Sequence, residues 1–245
     1  MKNLIIIGMI LLSQIFYSHE TFAGWMQDQL NNLKNTNLGA LKQTPLSQTK
    51  IGEGLKEALK VGIDNAVKLT GQTDGFMKNE AIKIPLPDKL QMLDKGLRAL
   101  GQGSKVDDFV LSMNRAAESA APQARDIFVN SIVGMTFDDV TKIYNGGNTS
   151  ATEFLKNKTS QQLRDAFLPF VKKSLSRYDV TSKYNAMVAK YRSLPFSSKF
   201  PAPDVEQYVL DKALNGLFLI LGQEETKIRT QPAARVTDLL KEVFK

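Results

Sequence analysis

The sequence predicts an all-α fold: a single-domain multi-helix bundle of about eight to ten helices, crossed by a short extended strap that contains proline. Three observations carry this prediction. Apolar residues recur at helical spacing along nearly all of the chain beyond residue 49. Most of these runs open on a capping residue or a proline, and several close on glycine. One segment, AIKIPLP at 81–87, breaks the pattern with two prolines that favour extended backbone.

The first elements concern export. Lys2 precedes an apolar run, LIIIGMILL at 4–12, and the small residue Ala23 follows at the distance a secretory cleavage site requires. An anchor helix left uncleaved would need about 20 predominantly apolar residues, and Ser13, Gln14, His19 and Glu20 interrupt too early. The expected organisation is a signal peptide over 1–23, a short helix and linker over 24–48, and an all-helical domain over 49–245. Trp25, Met26, Leu30 and Leu33 make the short helix amphipathic, and Pro45 lies in the linker. The mature chain is expected to be exported and soluble in the periplasm, with no transmembrane segment once the signal is removed.

From Lys50 to Leu69, the positions Ile51, Leu55, Ala58, Leu59, Gly62, Ile63 and Ala66 form one apolar helical face, closed by Gly71 to Gly75. After the strap, Pro87 suits the first turn of a helix carrying Leu90, Leu93, Leu97 and Leu100, which Gly101 and Gly103 end. Capping boxes are expected at Ser104–Asp107, Thr136–Asp139, Ser150–Glu153 and Thr159–Gln162. Pro169 interrupts a helix expected over about 160–177, and a proline-rich loop covers 195–203. The helix over about 204–229 is apolar around well over half its circumference, as in the buried centre of a bundle, and is too short a run to span a bilayer. A last short helix follows Pro232, with Val236, Leu239, Leu240, Val243 and Phe244 on one side.

Composition excludes several chemistries. The chain has no cysteine, and its single histidine, His19, falls within the signal. The mature protein therefore lacks Ser-His-Asp and Cys-His nucleophilic sites, disulfides, and any metal site built on imidazole or thiolate. No cofactor is expected. Lys and Arg number 32 against 25 Asp and Glu, a net charge of +7, which loss of Lys2 and Glu20 leaves unchanged. The basic residues are scattered with no run of five, so nucleic acid is not the expected partner.

Four polar groups stand out as candidate sites. In residues 104–121, Val106, Phe109, Val110, Met113 and the alanines form one helical arc, while Asp107, Asn114, Arg115 and Glu118 cluster on the other around Leu111. Either this is a solvated or structural polar face, or a covered face lined for a ligand, and burial of Leu111 would favour the second. On the 204–229 helix, Asp211 and Asn215 lie in the narrow polar stripe with Tyr208, Thr226 and Arg229. Glu224, Glu225, Arg229, Arg235 and Asp238 surround Pro232, as an oxygen-rich cation or acid/base site, or as an arginine–carboxylate clamp. Gly146, Gly147, Thr149 and Ser150 precede a helix start, which could hold an anion on free N–H groups. No Gly-Lys-Ser/Thr follows, so this is no nucleotide-binding P-loop.

The strings NEAIKIPLPDKLQ, GQGSKVDDFVLSMNRAAESAAPQARDIF, MTFDDVTKIYNGGNTSATEFLKNKT and PAARVTDLLKEVF resemble the bacterial exported proteins grouped as domain of unknown function 4197, over about residues 49–245. The resemblance implies an exported helical protein of Gram-negative bacteria and carries no activity. Many relatives look like lipoproteins with a cysteine after the signal, and this chain departs from them there. Asn114, Arg115, Glu118, Gly146, Gly147, Arg235 and Asp238 match the family's strings, which supply no role for them. Three functions stay open. The first is a non-enzymatic binding protein of a protein or envelope partner, and the second a carrier of a lipid or other apolar small ligand between helices. The third is a Mg²⁺- or Ca²⁺-assisted carboxylate enzyme using Asp107, Glu118, Asp211 or Glu225, which requires those oxygens to converge in one cleft.

Overall fold

The computed structural model describes residues 47–99, 101–177, 182–186, 189 and 204–244. The expected signal peptide, the short helix expected around Trp25, most of the expected linker and the expected proline-rich loop over 195–203 lie outside these residues. Among the described residues there are eight α-helices and no strand, so the all-α architecture stands. In chain order they are α1 (Gln48–Gly71), α2 (Gln91–Ala99), α3 (Gly103–Ala120), α4 (Ala124–Val133), α5 (Phe137–Tyr144), α6 (Ser150–Arg177), α7 (Val205–Thr230) and α8 (Asp238–Val243). Single 3₁₀ turns, each opened by or just after a proline or at Ala121-Pro122, lead into α2, α4 and α8.

Local capping accounts for most of the starts. Ser47 accepts from the Lys50 N–H, Asp204 from those of Glu206 and Gln207, and Thr237 from that of Leu240. The Thr136–Asp139 box forms with both reciprocal bonds. The other three boxes do not. Gly101, at φ +71°, closes α2 alone, because Gly103 already belongs to α3; Ser104 then lies inside the helix and cannot cap it. At α6 the Ser150 hydroxyl turns back to the Gly147 carbonyl, and the Thr149 carbonyl receives the Glu153 N–H. Thr159 is buried in mid-helix, where its hydroxyl bonds the Leu155 carbonyl. A side chain that can bond one turn back fits a helix interior as well as a cap. Consequently α6 is one helix over 150–177 and passes through Pro169.

The axis of the fold is α7. It packs most extensively on α1 and α6 and also meets α3. Val209, Leu217 and Leu221 are all but inaccessible. The alanine face of α3, with Ala116, Ala117 and Ala120 wholly buried, brings that helix close to α6. Phe128 meets Phe218 edge-on at 5.7 Å between ring centres.

After α1, residues 72–87 cross the bundle as the strap. Residues 83–87 carry no helix, and Ile82, Ile84 and Leu86 are buried in the alternation of extended backbone. Phe76, fully buried, lies against Gly216 of α7: a Cβ there would come within 2.6 Å of the Phe76 ring and 3.1 Å of Ile82 Cβ. Alanine at 216 would gain about 1 kcal/mol of helix propensity. Overpacking of a ring that cannot retreat costs about 1–3 kcal/mol. Gly216→Ala is therefore expected to be net destabilising, read as a lower urea midpoint, and a more stable variant would show that the strap yields there.

Candidate functional site

The polar arc of α3 faces the strap. Asn114, with no accessible surface, works as a substitute strand: its Oδ1 accepts the Ile84 N–H at 2.8 Å, and its Nδ2 donates to the Ile84 carbonyl at 2.9 Å. Extended backbone crossing a helix has no ladder partner, and a primary amide supplies the donor and acceptor that one residue needs. Glu118 is equally committed. Its Oε1 accepts from the Phe76 and Met77 N–H groups, while its Oε2 receives Arg115 at 2.6 Å. Arg115 also reaches Asp74 at 2.6 Å. The Asp74 carboxyl is held below the usual carboxylate range first by its hydrogen bond from Lys78 and then by Arg115. Tyr208 fixes the far end by donating to the Pro85 carbonyl at 3.0 Å, and burial pushes its phenol up to about 12.

Two expectations about this group are corrected. Leu111 is 36 % exposed while Asn114 and Glu118 are buried, so its exposure does not report on theirs. The strap covers only the end of the arc where Asn114 and Glu118 lie. Asp107, placed in the same arc, is exposed and pairs instead with Arg98 at 2.6 Å, whose guanidinium holds its carboxyl below the ordinary range.

A second cluster joins α6 to α7. Glu225 accepts from the N–H groups of Ala151 and Thr152, from the Thr152 hydroxyl, and from Arg229 Nε at 2.9 Å. Arg229 extends to the Ile143 carbonyl and over the Phe244 ring. At the helix start after Gly146, Gly147, Thr149 and Ser150, the candidate place for an anion, the chain's own Glu225 carboxylate takes the N–H groups of Ala151 and Thr152. Gly146 serves close packing, since a Cβ there would overlap the Ser150 hydroxyl. Arg235 binds the carbonyls of Ile228 and Arg229 at the end of α7 rather than a carboxylate, and Asp238 is fully exposed beside Lys241. Of the clamp expected around Pro232, Glu225–Arg229 forms. Glu224 is separately engaged by Asn65 and Lys227.

Asp211 pairs with Arg164, and with the exposed Asn215 it lines a groove of about 300 Å³ between α6 and α7. Asp107, Glu118, Asp211 and Glu225 thus answer to four different arginines and do not converge. Among the described residues no group of three or more His, Cys, Asp or Glu could hold a metal ion. The broad apolar face of α7 is used up in packing; between it and α1 remains a hollow of about 10 Å³, room for about one water. A larger hollow of about 390 Å³ opens between the strap, α2 and α3. Two of its charged groups, Lys83 and Arg98, escaped sequence reasoning, because no local pattern shows that residues 83, 98 and 107 meet. No helix among the described residues is long and apolar enough to cross a membrane.

Compared with known proteins, residues 45–245 match a family model described as protein of unknown function (DUF4197). No curated protein and no solved structure matches the chain.

Proposed function

We propose that this chain, which belongs to the DUF4197 family of proteins of unknown function, acts in the periplasm by non-covalent binding, as an exported interaction protein of the cell envelope rather than an enzyme. The observation that carries this reading is the use made of the buried carboxylates. Glu118, Glu224 and Glu225 each accept hydrogen bonds from the chain's own amides and cations. A general acid or base needs a carboxyl group within reach of a substrate proton. These three are spent on joining strap to helix and helix to helix. The absence of histidine and cysteine after residue 23 supports the same reading.

The carrier alternative keeps support in a changed form. The interior of the bundle is filled along α7, so a carried molecule would occupy a surface hollow such as the one beside the strap. Both readings are tested on the full chain expressed in a Gram-negative host. After osmotic shock, the shock fluid is expected to hold a protein beginning at Gly24. Native mass spectrometry is expected to show it with a reproducible added mass that denaturation releases. A full-length chain left in the membrane pellet would overturn export, and a clean single-chain mass in repeated native preparations would overturn binding.

A further inference from the structure

The hollow beside the strap has the dimensions of a ligand site. Its volume of about 390 Å³ lies within the roughly 300–1,000 Å³ of ordinary small-molecule pockets. Its wall is apolar where strap and α3 meet: Leu86 and Val106 are buried, and Pro85 and Val110 border them. The charges around the mouth are unequal in what they already hold. Arg98 lies between Asp94, at 2.7 Å, and Asp107, at 2.6 Å, so its own charge is already matched, although Asp94 Oδ1 makes no hydrogen bond. Gln91 donates to Asp88.

Lys83 is different. Its side chain is 32 % exposed, and its one ion pair among the described residues is to Glu80 at 3.7 Å, a carboxylate 85 % exposed to water. An ammonium drawn partly out of water on an apolar wall, with only a distant and solvated counter-ion, favours an anion brought by a ligand. The apolar wall favours a hydrocarbon body attached to that anion.

We propose that this cleft binds a single-chain amphiphile with one anionic headgroup, such as a fatty carboxylate, its chain lying along Pro85 and Val110 and its headgroup paired with Lys83. The inference rests on the binding reading above and deepens it by giving the class of ligand.

The test is titration calorimetry of the mature chain with decanoate and with decylammonium, which share a chain and differ in charge. One decanoate per protein is expected, with decylammonium at least tenfold weaker. Lys83→Gln should weaken decanoate about tenfold or more, the effect of losing a charge-assisted hydrogen bond. Pro85→Glu, at an exposed position bordering the wall, should weaken decanoate and not decylammonium, and thermal melts of both variants check that the fold is kept. Equal affinity for the two amphiphiles, or decanoate binding unchanged in both variants, would overturn the proposal. So would binding to phosphatidylglycerol vesicles without binding of free decanoate, because charge on the outer surface would then explain it. Complete failure of decanoate to bind rejects this cleft alone, since the added mass sought by native mass spectrometry is a separate readout.

Discussion

Glu118→Ala lowers the stability of the fold by about 3–5 kcal/mol, the usual cost of removing one partner from a buried ion pair. Three donors lose their acceptor together: the N–H groups of Phe76 and Met77, and Arg115. The loss centres on the strap, so hydrogen exchange at Phe76, Met77 and Ile84 should accelerate before that of α7. Glu118→Gln keeps an acceptor for the two amides and loses only the charge facing Arg115, so its cost is smaller. Asn114→Ala is expected to cost about 2–3 kcal/mol, because the Ile84 N–H and carbonyl are left buried and unpaired. The half-buried acid of the network behaves differently. Asp74 titrates below its ordinary 3.8 in the folded chain, so its contribution is present above about pH 4 and disappears as pH falls through the lowered value. Wild type and Asp74→Asn should therefore converge in stability below pH 4 and differ above it. Urea unfolding across pH measures all four variants. If Glu118→Ala costs under about 1 kcal/mol, the bonds from Glu118 do not hold the strap, and Asn114, Tyr208 and the buried Phe76, Ile82 and Ile84 do.

The second large effect falls at the start of α6. Glu225→Ala is expected to cost about 3–5 kcal/mol as well, since it strips an acceptor from Ala151, Thr152 and the nearly buried Arg229. It should also expose what Glu225 conceals. With the carboxylate gone, free N–H groups at the helix start face a cation, which is a site for a small anion. Millimolar acetate is thus expected to raise the melting temperature of Glu225→Ala and leave that of wild type unmoved. Equal responses in the two proteins would falsify the view that Glu225 fills an anion site. Arg229→Lys should cost part of the same stability, because a lysine cannot reach Glu225 and the Ile143 carbonyl together.

Much of the fold is legible in local sequence, and the reason is range. The apolar arc of α7 announces a central helix because its hydrophobic positions exceed what one neighbour could cover. The Thr136–Asp139 box is readable because both bonds close within three residues. The same grammar misleads at Thr159, where the hydroxyl bonds the preceding turn and α6 runs on. It misleads at Ser104 too, because Gly103 enters α3 one residue earlier. Asn114, Arg115 and Glu118 are recognisable as polar residues opposite an alanine face, and Glu225 and Arg229 as a pair one turn apart. Their roles are not recognisable, since the partners lie 30 to 86 residues away in sequence.

By itself, then, the sequence determined the all-helical class, the extended proline segment, the central place of α7, and the lack of cysteine and of any histidine beyond His19. These follow from periodicity, backbone restriction and composition, which act within a few residues or on the chain as a whole. The tertiary structure alone decided which polar residues are buried. It placed the strap over Asn114 and Glu118 while leaving Leu111, on the same arc, at the surface. It also seated Glu225 on the start of α6, and brought Lys83 to a hollow lined by the strap, α2 and α3. Burial of a charge depends on what crosses above it, and that is settled only when distant segments pack.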